Sequence, residues 1–223
     1  MFNNCMKRKT LLIFILLFSS LLWKGVGSEA FAQSTTQITN EGNTLKQFYL
    51  NEHLESLWLA GQHVNWETGE SDNPNATKGN KTHCSAFAAS VCKQKGVYII
   101  HPPSKTSLAN ALYDWLSSSE AYNKGWKQII TNVFETAQQY ANAGKIVVAV
   151  YKNPDASKPG HIALIMPAEK TTDDLNKEGP AIIQAGRINS SSISLKQGFE
   201  RHLKSWPPPS TEIIFFYNES EKK

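Results

Sequence analysis

The hydrophobic spacing of this chain changes its period once, near Lys145, and that change limits the folds open to it. Ahead of it, apolar residues recur at helical intervals. Leu45, Phe48, Tyr49, Leu57 and Trp58 do so over 44–59, and Cys84, Phe87, Ala88, Val91 and Cys92 follow. Leu108, Ala111, Leu112, Trp115 and Leu116 form a third stripe, and Trp126, Ile129, Ile130, Val133, Phe134, Ala137 and Ala141 a fourth. Beyond Lys145 the pattern becomes short β-rich runs at 146–151, 161–166, 181–185 and 212–217. Helices gathered ahead of strands, with short links between successive strands, predict an α+β class with an antiparallel sheet. Thr82 is placed to cap the second helix, with Gly96 to end it and Gly144 to stop the fourth. The polar stretch 65–82 reads as loop, and Trp206-Pro207-Pro208-Pro209 stiffens the approach to the last strand.

The N-terminus carries a separate signal. Lys7, Arg8 and Lys9 precede an apolar run from Leu11 to Trp23, and Ala30-Phe31-Ala32 follows. This is the pattern of a secretory signal peptide with a small-x-small cleavage site. The run falls short of the roughly 20 residues of a spanning helix, and no second apolar segment is long enough. The expectation is therefore a cleaved signal over 1–32 and a single domain over 33–223, secreted or periplasmic, with no integral membrane segment. Lys7, Arg8, Lys9 and Lys24 against Glu29 account for +3 of the formal charge of +4. A nearly neutral remainder without a basic stripe offers nucleic acid no electrostatic footing.

Cys5 lies ahead of the apolar run and leaves with the signal, so Cys84 and Cys92 are the two cysteines of the mature chain. On one helix, eight residues separate them by roughly 12 Å along its axis. A disulfide needs Cα atoms within about 7 Å. The geometry keeps both thiols free, and a free thiol in an exported protein calls for a reason. Cys92 suits a buried core position, whereas Cys84 stands at a helix start.

A thiol with an ordinary pKa of about 8.5 is only slightly ionised at neutral pH. A helix N-terminus contributes about 0.3–1 kcal/mol toward the anion, too little alone. An imidazole that takes the proton supplies the rest. His161 opens the strand Gly160-His161-Ile162-Ala163-Leu164-Ile165, where Gly160 permits close approach. His53, His63, His101 and His202 sit in less suitable settings, and His83 diverges from its neighbour Cys84 on a helix. Gln184 is the single polar residue of the next strand and the candidate orienter of His161, with Asn189 in reserve. The backbone amide of Cys84 or Ser85 is placed for an oxyanion site. Ser85, Asn189 and Trp66 are the substrate-binding candidates, Trp66 as an aromatic platform in the polar loop.

Thr82-His83-Cys84-Ser85-Ala86-Phe87 on a helix, Gly160-His161-Ile162-Ala163-Leu164-Ile165 on a strand and a polar residue on the next strand resemble the CHAP and NlpC/P60 cysteine peptidases and amidases. The likeness covers roughly 80–189. It implies a papain-like fold with the nucleophile at a helix N-terminus, acting on amide bonds of bacterial peptidoglycan without metal or organic cofactor. Cys84 would be the nucleophile, His161 the general base, and Gln184 would stand where the family more often has Glu, Asp, His or Asn. Peptidoglycan is then the partner, and a cognate inhibitor protein a further one. Two alternatives share the fold: a lipid acyl hydrolase or acyltransferase using the same pair on an ester, and an inactive wall-binding module, which has no use for an oxidisable thiol.

Overall fold

A computed structural model describes residues 36–75, 82–102, 108–205 and 212–219. The expected signal peptide over 1–32 and the tryptophan-proline stretch over 206–209 lie outside the described residues. Helices α1 (Asn40–Leu50), α2 (Cys84–Gln94), α3 (Ala109–Leu116), α4 (Ser119–Asn123) and α5 (Val133–Asn142) precede most of the strands. The strands are β1 (Trp126–Ile129), β2 (Val147–Tyr151), β3 (His161–Ile165), β4 (Ala181–Ala185), β5 (Asn189–Ser194) and β6 (Ile213–Asn218). Between and after them come α6 (Thr172–Glu178), α7 (Leu195–Gly198) and a 3-10 helix, Glu200–Ser205. All pair antiparallel in one sheet ordered β1-β6-β2-β3-β4-β5, so the class is α+β.

Both faces of the sheet are covered, which is why its central strands read as continuous apolar runs. Every residue of β2, β3 and β4 is buried. Val148, Val150, Ile162, Leu164 and Ile183 join Phe87, Val91, Cys92 and Leu112 of α2 and α3 on one face. Val147, Ala149, Ala163, Ile165 and Ile182 join Phe134, Ala137, Leu175 and Leu195 of α5, α6 and α7 on the other. Alternate residues of each strand thus serve different helical layers.

Three sequence expectations change. The first helix stops at Leu50, and 51–62 is a series of turns in which His53 and Trp58 take positive φ. The stripe from Trp126 to Ala141 divides into β1 and α5. Trp126 and Ile129 do lie three apart, but they point to opposite covered faces of an edge strand held by β6. Gly125 and Asn132, both at positive φ, bracket it. Thr82 does not cap α2; His83 occupies that position without a side-chain cap bond. Gly96 and Gly144 end their helices through paired amide bonds, Gly96 to Lys93 O and Val97 to Cys92 O, Gly144 to Ala141 O and Lys145 to Tyr140 O.

The sheet end opposite His161 is tied by two buried amides one turn apart on α5. Gln138 Nε2 donates to Met166 O and to Asn142 Oδ1, both at 2.9 Å, while Gln138 Oε1 accepts the Ala181 amide. Asn142 Nδ2 donates to Thr36 O and Ala168 O, and its oxygen accepts the Ala168 amide. These bonds join the segment around Thr36, α5 and the facing ends of β3 and β4. Removing one partner strands several buried groups, each worth about 1–3 kcal/mol. Asn142→Ala should therefore lower stability by about 3 kcal/mol or more in urea unfolding; an unchanged midpoint would refute the role of this clamp.

Candidate active site

The β2–β3 hairpin sets His161 by steric exclusion. A Cβ on Gly160 would collide with the Tyr151 carbonyl oxygen and lie 2.5 Å from Asn110 Oδ1, so only glycine admits this approach. Asn110 also receives the Asn153 amide and donates to Lys158 O, bracing the hairpin from α3. Tyr151 and His161 stand opposite in the ladder, with His161 first in β3. The β3–β4 ladder is confined to Leu164↔Ile183 and Ile165↔Ile182, leaving the His161 end of the pair unladdered. Helix α2 packs on these two strands and begins with Cys84.

The three residues singled out from sequence meet here. His161 Nε2 and Gln184 Oε1 are 2.7 Å apart and buried. Gln184 Nε2 points instead to Ile188 O, which orients the amide with its oxygen toward the ring. That oxygen only accepts, so Nε2 carries the proton and Nδ1 is the nitrogen left for Cys84. Phe199 meets the imidazole edge-on at 4.7 Å, and His202 lies nearly parallel to it at 6.3 Å. A Cβ on Gly198 would crowd Gln184 Oε1 at 2.9 Å, so α7 approaches the pair at a glycine.

Electrostatics separates the two cysteines. Both are free and buried. For Cys92, burial acts without a compensating partner and pushes the thiol far up. For Cys84, burial also opposes ionisation and is the largest single influence. The hydrogen bond and charge of His161, the Ile162 amide and the Ser85 hydroxyl outweigh it and bring the thiol down to about 7. Burial likewise depresses His161, but the bond and charge of Cys84 and the bond to Gln184 carry it above the ordinary histidine value. The pair is thus poised as thiolate and imidazolium. His83 takes no part, because its Nε2 faces Gln62 O at 3.1 Å and burial lowers its pKa. With no side-chain cap on α2, the first amides of the helix remain free of one.

A cleft of ≈ 780 Å³ opens at His161 and Gln184, lined also by Arg187, Asn189, Arg201 and His202 among others. Of the substrate-binding candidates, Ser85 is half-buried with its hydroxyl 3.9 Å from Cys84 Sγ. Asn189 lines the cleft and donates its Nδ2 to Leu54 O and Leu57 O, both 2.9 Å away, while its Oδ1 has no hydrogen-bond partner among the described residues; the acceptor that meets His161 is Gln184. Trp66 lines a separate hollow of ≈ 290 Å³ with His83 and Ala86. His101 stacks on its ring at 4.7 Å and the Lys93 ammonium lies 5.3 Å from its centre, so the ring is already engaged. Residues 198–202 were not legible as site residues. His202 stands beside a proline-rich stretch, and nothing in its local pattern shows that it stacks on Tyr151 at 4.2 Å next to His161.

Among the described residues no group of three His, Cys, Asp or Glu side chains could hold a metal ion, and no helix is long and apolar enough to cross a membrane. No protein-family model matches the chain, and no curated protein matches its sequence.

Iodoacetamide labelling read by peptide mass spectrometry should alkylate Cys84 with a midpoint near pH 7 and spare Cys92 in the folded chain. In His161→Ala, burial acts on Cys84 without its main counterweight, so the midpoint should move above the ordinary thiol value. Equal rates at the two cysteines would contradict the assignment.

Proposed function

We propose that the chain is a cysteine hydrolase of amide bonds in bacterial peptidoglycan, exported by its N-terminal signal, with a papain-like core of the CHAP or NlpC/P60 kind. The observation that carries this reading is the buried Cys84 thiol, brought to about 7 by an imidazole whose other nitrogen is held at 2.7 Å by Gln184. Structural core cysteines have no such partner, as Cys92 illustrates. The order of parts also supports the reading: cysteine at a helix start, histidine at a strand start and a polar orienter on the neighbouring strand.

In this reaction the Cys84 thiolate attacks the amide carbonyl carbon, and the carbonyl π pair moves to oxygen. The amides at the start of α2 receive that oxyanion. His161 delivers its Nδ1 proton to the departing amine as the C–N bond breaks, leaving a thioester. Water then attacks the thioester, gives a proton to His161, and the thiolate leaves with the acid product released. Gln184 keeps Nε2 protonated throughout, so the shuttling proton resides on the nitrogen that faces sulfur. The charged side chains that line the cleft, Lys158, Arg187, Glu200 and Arg201, support a peptide over an acyl chain.

Digestion of purified peptidoglycan with mass spectrometry of the released fragments tests this directly. Release should vanish in Cys84→Ala and His161→Ala; undiminished release by Cys84→Ala would end the proposal. Activity should rise through about pH 7 as Cys84 ionises. Gln184→Leu should lower kcat about 100-fold by freeing the ring. Gln184→Glu should retain activity and extend it to higher pH, because a carboxylate favours imidazolium and raises His161 further. An unchanged alkaline limb in that variant would show that residue 184 does not govern the ring.

A further inference from the structure

The charges around the cleft are unevenly distributed. Lys158, Arg187 and Arg201 line it against one lining carboxylate, Glu200. Lys158 is engaged, its ammonium 3.1 Å from Asp155. Among the described residues neither Arg187 nor Arg201 has an ion-pair partner, and both are exposed. Arg187 lies in the short link between β4 and β5, three residues after Gln184; Arg201 lies in the 3-10 helix beside His202. The two arginines therefore come from separate elements and line the cleft that His161 and Gln184 also line.

Burial first, then the positive charges of His161 and Arg201, hold His202 down at about 4. His202 lines the same cleft and its ring is 6.3 Å from that of His161. A neutral imidazole, two unengaged guanidiniums and the hydroxyl of Ser190 make a lining that offers hydrogen-bond donors and positive charge. Arginine matches a carboxylate with two parallel N–H bonds, a fit that lysine or an amide does not reproduce.

We propose that Arg187 and Arg201 are specificity residues that hold a free carboxylate of the substrate peptide in this cleft, so that acidic stem peptides are selected over their amidated forms. The inference rests on the hydrolase reading for the identity of the substrate, and on the cleft alone for its charge. The carboxylate is bound in the cleft that His161 lines, without taking part in acyl transfer. Cys84, at the other side of His161 from Gln184, does not line the cleft.

The test uses soluble stem peptides released from peptidoglycan, either with free carboxylates or with the carboxyl groups converted to amides, titrated calorimetrically into the full mature chain carrying Cys84→Ala. The free acid should bind about tenfold tighter or better, and its affinity should fall with added salt. In the Arg187→Gln/Arg201→Gln double variant the preference should drop to about twofold or less. Lys127→Gln, which removes a cation on the opposite edge strand β1, should keep it. Equal affinity for the two peptides, no binding of either, or a preference that survives the double substitution would each overturn the proposal. Hydrolysis with Cys84 intact separates the two readings. Cleavage of both peptides at equal efficiency, with equal binding, removes the carboxylate site and leaves the hydrolase; selective binding with no cleavage of either does the reverse.

Discussion

The bond between His161 Nε2 and Gln184 Oε1 is the constraint from which the geometry of the site follows. An imidazole can point either nitrogen at a thiol, and only a fixed acceptor behind it decides which one holds the proton. Gln184 makes that decision, and Ile188 O in turn decides the orientation of Gln184. Both ring and amide need room in a close-packed sheet end. Gly160 and Gly198 provide it, at points where a Cβ would meet the Tyr151 carbonyl and Gln184 Oε1. Phe199 and His202 then close over the ring.

Burial in this place works against the chemistry it shelters. It raises both thiols of α2 and lowers His161. Cys84 overcomes it because a thiolate and an imidazolium desolvated together neutralise each other, whereas Cys92, two turns along the same helix, has no counter-charge. A helix dipole alone would have been insufficient. The start of α2 adds a second feature: its first amides carry no side-chain cap of the kind that a serine or threonine ordinarily supplies.

Legibility varied with how local the cause was. Cys84, His161 and Gln184 could be found because each stands at a point where the pattern breaks: a thiol at a helix start, an imidazole at a strand start, one amide in an apolar strand. The runs at 146–151, 161–166 and 181–185 were clear because burial on both faces makes them uniformly apolar. β5 was not, since Asn189-Ser190-Ser191-Ser192-Ile193-Ser194 is too polar to read as strand and is held by a bulged ladder to β4. β1 was mistaken for helix because two covered faces can imitate a three-residue spacing when the partner, β6, lies about ninety residues away. Trp66 reads from sequence as an aromatic platform in a polar loop, and the structure stacks His101 on its ring and sets the Lys93 ammonium over it.

By itself the sequence determined the α+β class, the two cysteines that cannot bond to each other, and the identity of the thiol, imidazole and amide. These depend on spacing along one element, which the covalent chain sets. Tertiary structure alone decided that Gln184 rather than Asn189 reaches His161: Gln184 Oε1 lies 2.7 Å from the ring, whereas Asn189 is anchored through its Nδ2 to the carbonyls of Leu54 and Leu57. It also decided that Arg187 and Arg201, fourteen positions apart, border one cleft, and that His202 lies beside His161. The physical reason is common to all three. Which groups share a low-dielectric space is fixed by how the sheet and its two helical layers close on each other, and contacts of that kind leave no period in the sequence.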